Sequence, residues 1–87
     1  MTEVEIREIL VQSILTVRKQ MNRKHLKDMA SFTEDLGFDS MALVALASEL
    51  EKRFGRSLPL PQWLENQRDK KLTLGSLVDF LYNYINQ

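Results

Sequence analysis

The chain contains no cysteine, a single histidine, three glycines and two prolines. Without cysteine there is no disulfide framework, no thiolate nucleophile and no cysteine-based zinc site, and with His25 as the sole imidazole a metal centre or a catalytic triad has few means of assembly. Acidic and basic residues number twelve each, so the formal net charge is zero. That balance gives no whole-molecule field for nucleic acid or an anionic membrane. No apolar run approaches the roughly 20 residues that cross a bilayer. The opening MTEVEIREIL has neither a basic leader nor an uninterrupted apolar stretch, so a cytoplasmic, soluble chain is expected.

What is present suits one small folded unit. Of 87 residues, 44% are apolar and 28% charged, the composition of an ordinary globular chain. A domain of this size buries on the order of 60–65% of its unfolded surface around one core, so a single domain over residues 1–87 is expected. Charge is uneven locally: RKQMNRKHLK, residues 18–27, is basic, while acidic residues gather from Glu34 onward. The basic run reads as a solvated helix end with its loop; the alternative is a docking patch for an acidic partner.

Thr2 followed by Glu5 fits a capping box, and Ile6, Ile9, Leu10, Ile14, Val17 and Met21 then recur at helical spacing, with Val11 and Leu15 widening the stripe. This predicts a first helix reaching about Met21. Between Asn22 and Asp39 no period survives, and Leu26, Met29, Phe32, Leu36 and Phe38 are expected to pin a long loop to the core. Gly37 is the place for a backbone conformation that a side chain obstructs. Asp39 is a good N-cap for a second helix carrying Met41, Leu43, Val44, Leu46, Ala47, Leu50 and Phe54, with Gly55 as the stop. Leu50 and Phe54 are expected in the core. Pro61 opens a short helical turn through Trp63 and Leu64, and Thr73 caps a last helix whose stripe is Leu74, Leu77, Val78, Leu81, Tyr84 and Ile85. The prediction is all-α: three main helices, a short third one and a long first loop.

Ser40 carries the chemical interest. A serine at a helix start is ordinarily a cap or a first-turn residue, but Asp39 is already the better cap. Ser40 then lies in the first turn, where free N–H groups and the helix dipole favour a phosphate. A hydrolase nucleophile would need a base and an orienting partner, and no G-x-S-x-G turn is present.

The stretch DLGFDSMALVALASELEKRFG resembles the signature of acyl and peptidyl carrier proteins, a D-x-G-x-D-S-[LM] loop leading into the second helix of a four-helix bundle. The likeness runs over nearly the whole chain, including LTLGSLVDFL. It implies a non-catalytic carrier that holds acyl or aminoacyl intermediates as thioesters. Ser40, aligned with the modified serine, would receive phosphopantetheine from coenzyme A through a magnesium-dependent phosphopantetheinyl transferase, with Asp39 serving transferase recognition. A loading enzyme and a downstream synthase or transferase are the other implied partners; neither nucleic acid nor membrane is, and a monomer is expected. A covalent arm raises the effective concentration of its cargo at each partner.

The departures bear on which carrier this is. Ala42 and Ala45 occupy positions expected to be exposed, where fatty-acid carriers display acids, and Lys52 and Arg53 follow Glu51. Met41, Val44, Ser48 and Glu51 are the expected docking residues. The pattern favours a specialised carrier of polyketide or nonribosomal type. A fatty-acid carrier, a D-alanyl carrier with its similar D-S-M loop, an unmodified interaction module and a small hydrolytic or transfer enzyme are the alternatives. Trp63 is either a plain core anchor or the border of a cleft for the tethered cargo.

Overall fold

The computed structural model describes residues 1–66 and 72–86. The described elements are helices: α1 Glu3–Val17, a single 3-10 turn at Arg23–His25, α2 Ser40–Phe54, α3 Leu60–Asn66 and α4 Leu74–Ile85. Helix α1 packs against α2 and α4. The long connection from α1 to α2 crosses the bundle and is held to the start of α4. The Phe32 N–H donates to the Leu72 carbonyl at 2.7 Å, the Leu74 N–H to Ala30 at 3.0 Å and the Gly75 N–H to Asp28 at 2.9 Å, and Ser31 forms an isolated bridge with Thr73. Among the described residues there is no β-sheet.

Local chemistry sets the helix starts. The Thr2 hydroxyl accepts from the Glu5 N–H at 3.2 Å, and Glu5 Oε1 accepts from the Thr2 N–H at 3.0 Å, completing the capping box. Thr73 Oγ1 accepts from the Ser76 N–H at 3.2 Å to open α4. Gly55 ends α2 in the left-handed region at φ 69°, which costs a residue without a Cβ little.

The buried core joins Ile6, Leu10 and Ile14 of α1, Leu46 and Leu50 of α2, and Leu74, Leu77, Val78 and Leu81 of α4. The loop adds Phe32, fully buried and edge-on to both Phe38 at 5.4 Å and Trp63 at 5.7 Å between ring centroids. Such aromatic pairs contribute about 0.5–1.5 kcal/mol each beyond the area they bury, so Phe32 fastens the loop to α3 as well as filling space. Ser13 is buried without penalty because its hydroxyl donates to the Ile9 carbonyl at 2.8 Å.

Five expectations are corrected. Helix α1 ends at Val17 rather than near Met21. Arg18 leaves helical geometry at φ −120°, ψ 83°, its side chain drawn to the Gly37 carbonyl, and Met21 reaches the core from the turn that follows. Met29 does not pin the loop and is 86% exposed: with the backbone on either side bonded to the start of α4, Ala30 and Phe32 take the inward positions. Phe54, at the last turn of α2, is only partly buried against the core. Ala42 is half-buried rather than exposed. The stripe of α4 also weakens at its end, where Tyr84 and Ile85 are half-buried.

Candidate functional site

The approach to α2 is built from the loop. Ser31 organises a turn in which its carbonyl accepts from the Asp35 and Leu36 N–H groups, both at 2.9 Å, while its own N–H donates to the Asp35 carboxylate at 2.7 Å. Leu36 and Phe38 are thereby buried on either side of Gly37, whose φ of 66° no side-chain-bearing residue adopts cheaply. Arg18, nineteen positions away, donates to the Gly37 carbonyl at 3.2 Å and sets its guanidinium 5.6 Å from the centre of the Phe38 ring. That clamp was not legible in the sequence, since neither spacing nor composition links the two positions.

Asp39 is the N-cap of α2. Its carboxylate accepts from the Ala42 N–H at 2.8 Å, and its carbonyl accepts from the Leu43 N–H at 2.9 Å. Ser40, the first helical residue, is exposed, and its hydroxyl has no hydrogen-bond partner among the described residues. Nor do the backbone N–H groups of Ser40 and Met41, the two first-turn donors left over once Asp39 has satisfied Ala42 and Leu43. Two free donors, the positive end of the helix dipole and a free hydroxyl fit a phosphodiester on Ser40.

Beside Ser40 opens a groove of about 810 Å³. Leu43, Val44 and Ala47 of α2 form one wall, Leu60 and Trp63 of α3 another, with Leu72 closing the far side. The Trp63 indole N–H donates to the Ser76 hydroxyl at 3.2 Å, so the ring is held in place as an apolar surface with no polar atom left open. Trp63 is both core anchor, at 3% exposure, and groove wall.

The four expected docking residues are not alike. Met41 is 81% exposed and Val44 66%, and Ser48 lies open on the same side of the helix. Glu51 is half-buried, and its carboxylate accepts from the Leu58 N–H at 2.8 Å, bracing the turn that leads to α3.

A helical bundle that presents a serine at a helix mouth, next to an apolar groove, has the form of a carrier domain. Comparison with known proteins gives the family. Residues 6–81 match the family described as "Phosphopantetheine attachment site". The chain belongs to that family. It is 32% identical over 81 residues to the acyl carrier protein of Chlorobium luteolum and 31% identical over 81 residues to that of Chlorobium phaeobacteroides, alignments covering 93% of this chain and 96% of each relative. The acyl carrier protein of Wolinella succinogenes is 29% identical over 77 residues, 88% of either chain. No solved structure is significantly similar. As a member of the family the protein is a non-catalytic carrier that bears covalently attached phosphopantetheine and is the substrate of a phosphopantetheinyl transferase. Among the described residues no helix is long and apolar enough to cross a membrane.

Proposed function

We propose that Ser40 is the residue that carries the phosphopantetheine arm, and that the arm presents acyl or aminoacyl intermediates to partner enzymes. The observation that carries this reading is the exposed, unpartnered Ser40 hydroxyl at the first turn of α2, with the Ser40 and Met41 N–H groups free beside it. The arm supplies the thiol that a cysteine-free chain lacks. The protein's own part is to hold the serine at a helix mouth, to offer the first-turn N–H groups to the phosphate and to shelter apolar cargo in the groove bordered by Trp63. Asp39 serves transferase recognition through its place beside Ser40, and Met41, Val44 and Ser48 form the neutral centre of the docking face.

The carrier is of the specialised kind, working in polyketide or nonribosomal biosynthesis as a single-domain, monomeric protein of the cytoplasm. An α2 without exposed unpaired carboxylates supports this: Glu49 is paired with Arg53 at 2.9 Å and Glu51 is held by Leu58. The name shared by the relatives fits a fatty-acid carrier equally well.

The test is intact mass after incubation of the apo protein with coenzyme A and a promiscuous phosphopantetheinyl transferase. One phosphopantetheine is expected on the native chain and none on Ser40→Ala, which keeps its helical circular dichroism because Asp39 retains the cap. A full mass gain on Ser40→Ala would remove Ser40 from the assignment.

A further inference from the structure

Arg7, Arg23 and Arg53 each face a carboxylate. Arg18 makes no ion pair among the described residues. Half-buried, it turns its guanidinium to a neutral carbonyl, that of Gly37, at 3.2 Å, and to the Phe38 ring, 5.6 Å from its centre. That separation lies within the roughly 6 Å at which a cation is drawn to an aromatic face. The two contacts hold one peptide unit and the side chain that follows it. The Gly37 carbonyl accepts from Arg18, and the Phe38 N–H at the other end of the same unit donates to the Phe32 carbonyl at 2.7 Å. Among the described residues no other group donates to the Gly37 carbonyl. Gly37 sits at φ 66°, and a glycine has a wider choice of backbone angles than any residue with a Cβ, so its own sterics do little to fix which way this peptide faces.

The orientation of this peptide sets how the chain enters α2. Asp39 follows in extended geometry, φ −96° and ψ −176°, and caps the helix, with Ser40 next after it. Burial of Leu36 and Phe38 pins where the loop passes, but not which way the plane between Gly37 and Phe38 is turned. A turned plane takes the Phe38 N–H off the Phe32 carbonyl and changes φ at Phe38, the residue that hands the chain to Asp39. We infer that Arg18 is a positioning residue for the modification of Ser40: by fixing the peptide between Gly37 and Phe38 it holds the loop, Asp39 and Ser40 in the one arrangement that a phosphopantetheinyl transferase engages. Arg18 makes no bond to the Ser40 hydroxyl and acts through the loop alone. Without it the transferase meets a smaller competent fraction of carrier, so apparent affinity falls by that fraction while chemistry on the bound chain is unaltered. The inference rests on the reading that Ser40 is the attachment residue, and adds the group that presents it.

The test is steady-state transfer from coenzyme A to the apo protein by a promiscuous phosphopantetheinyl transferase, with the carrier as the varied substrate. Arg18→Ala is expected to raise the KM for the carrier roughly fivefold at unchanged kcat, a competent fraction of about one in five. Arg18→Met, which keeps the apolar stem and deletes the donors, is expected to do the same and serves if the alanine variant fails to fold by circular dichroism. Arg18→Lys keeps a cation for the Phe38 face and a donor for the Gly37 carbonyl, and is expected to return KM to within about twofold of the native value. In the uniformly 15N-labelled Arg18→Met chain, amide shifts are expected to extend through Phe38 to Asp39, Ser40 and Met41. Gly75→Ala, whose strain falls on Asp28, is expected to keep the native KM and so separates loss of stability from loss of positioning. A native KM in Arg18→Ala and Arg18→Met overturns the inference, as do amide shifts that stop at Phe38, or a KM raised as far by Gly75→Ala as by Arg18→Ala. Those results leave Ser40 as the attachment residue, whereas a full mass gain on Ser40→Ala overturns the attachment reading and this inference with it.

Discussion

The indole N–H of Trp63 donates to the Ser76 hydroxyl at 3.2 Å, and that hydroxyl donates in turn to the Thr73 carbonyl at 2.7 Å. One polar chain thus connects the short α3 to the first turn of α4 across the wall of the groove. Trp63→Phe keeps the ring's contact with Phe32 and deletes the donor, and is expected to cost about 1 kcal/mol. Trp63→Ala also empties the site and is expected to cost about 3–5 kcal/mol. Urea unfolding of the two variants checks the ratio; equal losses would show that the hydrogen bond, and not the ring, dominates.

Gly75 lies where the loop meets α4. A Cβ there would stand 3.0 Å from the Asp28 carbonyl oxygen, the same oxygen that accepts from the Gly75 N–H. Alanine is the better helix former by up to about 1 kcal/mol, whereas forced overlap in packed structure costs about 1–3 kcal/mol. Gly75→Ala is therefore expected to lose about 1 kcal/mol on balance, read as a lower urea midpoint at unchanged slope. A gain in midpoint would mean that the loop backbone yields at this point.

Glu51 supports the turn after α2 through the Leu58 N–H, beside a fully engaged Leu58 side chain in the core. Removing the acceptor in Glu51→Ala is expected to cost about 1–2 kcal/mol and to raise amide exchange at Leu58, with transfer of phosphopantetheine to Ser40 little changed. Exchange at Leu58 as slow as in the native chain would show that another group takes over the acceptor's place.

Phe54 was expected to be deep in the core, where its truncation would cost about 3–5 kcal/mol. At half burial the expected loss for Phe54→Ala falls to about 2 kcal/mol, less than for Leu50→Ala one turn earlier, which is fully buried. Thermal unfolding of both variants ranks them directly.

Acid sensitivity has a place on α1. The Glu8 carboxyl is held below the ordinary carboxylate range, chiefly by the Arg23 guanidinium and then by Gln12, and Glu5 is lowered by the Thr2 N–H and hydroxyl. A folded pKa below the unfolded one means stabilisation that is present above the unfolded value and is lost as pH falls through the folded one. The raised Arg23 works the opposite way, its contribution being lost only in strong alkali. Glu8→Gln should thus be slightly less stable than the native chain at neutral pH, with the difference closing as pH falls through the lowered pKa of the folded Glu8 carboxyl. A difference that persists undiminished in acid would assign the effect to packing.

Much of this protein was legible in the chain itself. Thr2, Asp39 and Thr73 start helices by bonding an N–H three residues on, Gly55 stops one by its own backbone freedom, and the stripe from Leu74 to Leu81 repeats with the helical period. Each of these acts within a turn or two of its own position, so spacing and residue type determine it. The same locality put Ser40, with its hydroxyl free, just inside the cap. Contacts between distant positions were decided only by tertiary structure. Arg18 leaves α1 to hold Gly37, Trp63 finds Ser76, and Arg53 reaches Thr16 thirty-seven positions away. Met29 is turned outward by a backbone register set at the start of α4, and Phe54 is left half-covered at the end of α2. The groove beside Ser40 exists only where α2, α3 and Leu72 come together. Periodicity says which face of a helix is apolar; how much of that face finds a neighbour depends on the packing of the whole chain.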